Sequence, residues 1–197
     1  MTRKLLAEFA GTFFLVLFGC GAMVINEVSP DLSNNFSIAI AFGAVVFMCI
    51  QLFGDVSGAH INPAVSIAFW LKGELTKKET GAYILAQFLG AIAAALVLKA
   101  AYPSAELLGT TQPKAGLLNS WFIEFVMTFV LVLAVLKICH ESVLKVGLTI
   151  GTLIFLEAFI GGPLTNASMN PARSLGPMIA RGDLSDFWLY ATSTTCL

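Results

Sequence analysis

The 197-residue sequence is poor in charge. Only 12% of it is Asp, Glu, Lys or Arg, against about 25% in soluble domains. With a net charge of −1 it has no basic stripe for neutralising nucleic-acid phosphates. Histidine is scarcer still, with His60 and His140 the only two. The four cysteines (Cys20, Cys49, Cys139 and Cys196) are scattered, mostly in apolar runs, with no Cys-x-x-Cys pair and no metal-ligand spacing. They read as small core residues. No metal centre can be assembled from such a set, no cofactor is implied, and no nucleophile–base pair stands out, so enzymatic chemistry is not expected.

What fills the chain is apolar: 57% of residues are hydrophobic. The expectation is an all-α integral membrane protein, a single transmembrane domain over 1–197 in contact with membrane lipid. Arg3-Lys4 ahead of the first apolar run has the look of a signal peptide. The run continues past Cys20 to Ile25, however, and it is echoed later. Ala7 to Leu17 and Ile123 to Leu133 share seven of eleven residues, with Glu8 matching Glu124 at an offset of 116. A second pair of motifs recurs at a similar offset of 108. Ser57-Gly58-Ala59-His60-Ile61-Asn62-Pro63-Ala64-Val65 returns as Asn166-Ala167-Ser168-Met169-Asn170-Pro171-Ala172-Arg173-Ser174. The chain therefore reads as an internal duplication, about 1–103 and 117–197.

In both copies Asn is a favoured N-cap and Pro is tolerated at the first helical position. The helices that follow, Pro63 to Leu71 and Pro171 to Ala180, have nine and ten residues. At ~1.5 Å per residue they cross about half of a ~30 Å hydrocarbon core. Short Pro-interrupted segments at matching places in two halves point to a site at the membrane midplane. Full spans are expected near Leu5–Ile25, Phe36–Phe53, Gly81–Ala101, Asn119–Ile138 and Val146–Ile160, with a last one opening near Ser185. That last span would have 13 residues and a polar end, Ala191 to Leu197, too short to cross, so the final helix is expected to be truncated or altered. Arg3, Lys4, Lys72, Lys77, Lys78, Lys137 and Lys145 gather on one side, which is expected to be cytoplasmic together with the N-terminus. Three full spans per half make the repeat inverted.

Two half-helices meeting N-terminus to N-terminus would aim unsatisfied N–H groups and partial positive charge at one centre. Asn62 and Asn170 add amide donors. Such a centre orients a neutral molecule through its oxygens and repels cations. Arg173, in the first turn after Asn170-Pro171, reads as a pore-lining donor and cation barrier, since an intramembrane Arg is costly and functional. Glu8 and Glu124 are expected to anchor the irregular loops by accepting their N–H groups. His60 is expected to anchor the first loop or line a gate. The residues fit a passive channel for small uncharged hydroxyl compounds. An ion-coupled secondary transporter also uses broken helices at the midplane, and Glu157 is the one candidate for its ion site.

Taken with these residues, the chain resembles the major intrinsic protein family, the aquaporins and aquaglyceroporins. The paired Asn-Pro-Ala motifs carry the resemblance. It implies six tilted helices plus two re-entrant half-helices in the cell's plasma (inner) membrane, assembled as a homotetramer with one pore per protomer. It also implies a selectivity filter at Phe42, Ala158, Ala167 and Arg173, with Ala158 where strict water channels carry His. A filter without that imidazole is wider and less polar. Ser174 stands where glycerol facilitators carry Asp, and the run from Gly162-Pro163 to Gly176-Pro177 looks most like the nodulin-like channels of plants and bacteria. That subgroup passes glycerol and neutral metalloid acids such as arsenous and boric acid. A water-selective pore is the alternative. Two departures stand out: Asn166 where a Gly is usual, and Glu157 beside a filter position, facing either loop backbone or the pore.

Overall fold

A computed structural model describes residues 1–196. The elements in chain order are α1 (Thr2–Val28) and α2 (Asn35–Ser57), the short α3 (Pro63–Leu71), α4 (Lys77–Ala101), α5 (Leu117–Ile138), α6 (Val143–Thr165), the second short helix α7 (Pro171–Arg181) and α8 (Phe187–Thr195). Five of them (α1, α2, α4, α5 and α6) are long and apolar enough to cross a membrane. The last helix is short, as expected: it begins at Phe187 rather than Ser185 and has nine residues. Leu197, expected at its end, lies outside the described residues.

Several spans outrun the expected limits, and local chemistry explains why. Asn34 Oδ1 accepts the N–H groups of Phe36 and Ser37 while Ser37 Oγ accepts that of Asn34, so α2 starts at Asn35. The same reciprocal box between Thr76 and Glu79 starts α4 at Lys77, four residues ahead of Gly81. The expected end of α6 at Ile160 is overrun through Pro163 to Thr165. A proline there denies Phe159 the N–H its carbonyl would receive. Asn35 Nδ2 supplies the missing donor at 2.8 Å, so the helix continues. The second half-helix runs one residue past Ala180, to Arg181, before Gly182 closes it in a left-handed cap. Within α1, residues Leu15–Cys20 form a wide π-helical turn that the sequence pattern did not announce.

Lipid dictates which way the helices face. Phe18, Leu52, Leu89, Phe122, Leu148 and Ile160 point outward, whereas Glu8, Gln87, Glu124 and Arg173 are fully buried. Where helices cross, glycine lets backbones touch. A Cβ on Gly43 of α2 would lie 2.6 Å from the Gly151 carbonyl of α6, and one on Gly90 of α4 would lie 2.3 Å from the Phe9 carbonyl of α1. Within this shell α3 and α7 meet head to head, with their first residues in one cavity.

Candidate functional site

Each Asn-Pro-Ala asparagine uses its amide twice. Asn62 Oδ1 accepts the Ala64 N–H at 2.9 Å, and Asn170 Oδ1 accepts those of Ala172 and Arg173 at 3.0 and 3.2 Å, capping both half-helices. Asn62 Nδ2 then donates across the centre to the Met169 carbonyl at 2.7 Å, and Asn170 Nδ2 to the Ile61 carbonyl at 2.8 Å. An amide nitrogen carries two N–H groups, so one on each side remains for a molecule in the cavity.

The loops before these asparagines are held from behind. Glu8 accepts four hydrogen bonds, from Ser57 Oγ (2.7 Å), the His60 N–H (2.9 Å), the Ile61 N–H (2.7 Å) and Gln87 Nε2 (2.8 Å). Glu124 accepts the Ser168 and Met169 N–H groups, both at 2.8 Å. This hold lets Ala59, Ile61, Ala167 and Met169 keep φ between +44° and +51° without being glycine. Such conformations cost about 1–3 kcal/mol each and persist only where the surroundings enforce them. The two halves match further than their motifs do. Tyr83 donates to the Ser57 carbonyl and Tyr190 to that of Thr165, while Ser66 and Ser174 each bond their own loop. Gln87, Tyr83 and Tyr190 were not singled out from the sequence. Their signal was available as polar groups inside apolar spans, the two tyrosines 107 residues apart.

One cavity touches Phe42, His60, Asn62, Ala158, Ala167, Asn170 and Arg173. Its wall is otherwise largely apolar, with Leu15, Val46, Ile50, Leu131, Val135 and Ile150 among the contributors. His60 sits toward one end, stacked on Phe69 at 4.4 Å between centroids, with Nδ1 3.2 Å from Ser66 Oγ. Beyond it opens a vestibule bordered by Lys4, Asp55, Glu74 and His140. There Lys72 donates to Glu74 at 2.7 Å, and this bond holds the Glu74 carboxyl below its ordinary value. At the other end a second vestibule is bordered by Asn26, Glu27, Gln112 and Lys114.

Arg173 is 1% exposed and tightly placed. Nη1 donates to the Gly109 carbonyl and Nη2 to Met23 Sδ, both at 2.8 Å, and the guanidinium lies 5.2 Å from the Phe42 ring centre. Its Nε is buried and has no protein partner. Asn166 adopts the left-handed cap of α6 at φ +62°, where asparagine is the common substitute for glycine, and its Oδ1 accepts the Gln112 N–H. Glu157 resolves differently from either expectation. It is buried, its two oxygens contact no donor, and it is absent from the cavity wall. Among the described residues no carboxylate or lysine lines that wall, and Arg173 is its one fixed charge.

A model of the major intrinsic protein family matches residues 1–194. Nodulin-26 of Glycine max is 36% identical over 192 residues, covering 95% of this chain and 71% of that protein. Aquaporin NIP1-1 of Zea mays is likewise 36% identical, over 95% of this chain and 68% of its own length. The crystal structure of the aquaglyceroporin from Plasmodium falciparum superposes with a TM-score of 0.85 at 27% identity, over 98% of this chain and 91% of the other. The chain belongs to the major intrinsic protein family and is a passive, non-enzymatic membrane channel for water and small solutes.

Proposed function

We propose that this channel has a wide outer constriction and passes glycerol and neutral metalloid acids as well as water, while excluding ions and protons. The observation that carries the reading is the set around Arg173. Phe42 lies against the guanidinium, while Ala158 and Ala167 line the cavity with side chains no larger than a methyl group. Polyols and undissociated acids such as arsenous or boric acid present hydroxyls to Arg173 where it lines the cavity and to the second N–H of Asn62 and Asn170. Their carbon or metalloid centre passes along the apolar wall. Cations meet Arg173 and then the N-terminal ends of α3 and α7, whose dipoles carry partial positive charge. A cation-coupled transporter has no support here, since Glu157 stays out of the cavity.

The same reading takes Asn62, Pro63, Ala64, Asn170, Pro171 and Ala172 as the central orienting motifs. Glu8, Glu124 and His60 are the groups that hold or line them. It places the chain in the plasma membrane as a homotetramer, with the N-terminus and the vestibule bordered by Lys4 on the cytoplasmic side. The Lys and Arg distribution supports that orientation.

Ala158→His adds bulk and a donor to the cavity that Phe42 also lines. Glycerol permeability of proteoliposomes is expected to fall about tenfold or more, since a change of that size in a snug site discriminates by at least that factor. Water permeability should change far less. Glycerol flux equal to that of the unsubstituted channel would show that position 158 does not set the bore.

A further inference from the structure

We infer that Gly19, on the π-helical turn of α1, is a specificity-determining position. It is a notch that receives the Phe42 ring and so sets how far that ring reaches into the channel. A Cβ built on Gly19 would lie 2.3, 2.5 and 2.8 Å from three atoms of the Phe42 ring, distances that real Cβ atoms do not show. The ring occupies the volume that any other residue at 19 would fill. The Arg173 guanidinium also lies over the ring, 5.2 Å from its centre. The ring thus rests against both a missing side chain and a cation, and the filter width follows from where it rests.

The neighbours of Gly19 serve the same two groups. Cys20 backs Gly109, where a Cβ would fall 2.7 Å from Cys20 Cβ, and the Gly109 carbonyl accepts from Arg173 Nη1. Met23, one turn on, accepts from Nη2. One turn of α1 therefore supports both the ring and the guanidinium from outside the cavity.

The second half makes the opposite choice. Glu8 to Leu17 and Glu124 to Leu133 run closely parallel, then diverge at Phe18-Gly19-Cys20 against Ala134-Val135-Leu136. At the position matching Gly19, Val135 lines the cavity, and at the position matching Phe42 so does Ile150. The bulk is shared between two helices at that end and concentrated in one ring at the other. Helix α5 is regular over this stretch, whereas α1 carries its π turn at Leu15–Cys20. A π turn interrupts the regular helix and is frequent at functional sites.

Gly19→Ala pushes the ring out of its notch and into the lumen. Stopped-flow proteoliposome assays should show glycerol permeability lowered about tenfold with a smaller loss for water. In a Phe42→Val background, which removes the ring, adding Gly19→Ala should change neither flux, so the two substitutions couple fully. The inference is overturned by any of three results: Gly19→Ala conducts as the parent does, it gains glycerol flux, or its loss persists without the ring. If Gly19→Ala alone does not fold, the double variant decides: folding rescued by Phe42→Val upholds the contact, and failure to rescue overturns it. The glycerol arm rests on the wide-filter reading. A parent channel that rejects glycerol defeats that reading separately, and the same cycle read on water still tests the notch.

Discussion

Glu8→Ala is expected to leave no folded, conducting protein. Four donors converge on this carboxylate: the Ser57 hydroxyl, the His60 and Ile61 N–H groups and the Gln87 amide. All belong to buried residues, and water cannot replace the lost acceptor inside the bundle. Each orphaned donor costs about 1–3 kcal/mol, so the sum rivals the ~5–15 kcal/mol that holds a whole domain together. The loss reaches the site directly, because Ile61, whose N–H is freed, offers its carbonyl to Asn170. Glu8→Gln keeps the shape and one acceptor oxygen, and should fold with reduced stability. Thermal unfolding in detergent, with recovery of folded protein, checks both. A Glu8→Ala variant within about 1 kcal/mol of the parent would mean that something else holds the first loop. Glu124, with two loop N–H groups to satisfy, should show the smaller effect of the pair.

Arg173→Ala is the second large effect, on selectivity rather than on folding. Removing the guanidinium takes the fixed cation from the cavity wall and frees the Gly109 carbonyl and Met23 to face the lumen. Glycerol flux should rise severalfold through the wider opening. A proton leak, absent from the parent, should appear when a pH gradient is placed across proteoliposomes containing a pH-sensitive dye. The leak should stay far below that of an open cation pore, because the N-terminal dipoles of α3 and α7, each worth about half a positive charge, still meet at the centre. A variant as proton-tight as the parent would place the whole barrier at Asn62 and Asn170.

Much of this was legible in the sequence, because a membrane leaves few choices. Two Asn-Pro-Ala motifs in apolar surroundings imply two short helices. The limits of Pro63–Leu71 came out as expected because Pro63 starts that helix and Lys72-Gly73 ends it. Span ends were less legible where distant groups decide them. Nothing near Pro163 says that α6 continues, since the donor that satisfies Phe159 is Asn35, 124 residues away. Nor does local composition reveal that Gln87 reaches Glu8, or that Leu15–Cys20 widens into a π turn, since both depend on what packs against α1. Glu157 shows the same limit. Its place beside Ala158 left both loop backbone and lumen open; a one-residue step on a helix turns a side chain by about 100°, which carries it off the cavity wall. The last helix is short, as its sequence implied, and differs only in its start: Ser185 and Asp186 stay outside it and it begins at Phe187.

The most direct test of the central claim is stopped-flow light scattering on proteoliposomes of the unsubstituted protein. An impermeant osmolyte is applied first, then glycerol, with no ion gradient. The account predicts fast flux of both water and glycerol that does not saturate with concentration. Water flux alone, or glycerol flux that saturates and needs an ion gradient, would contradict it.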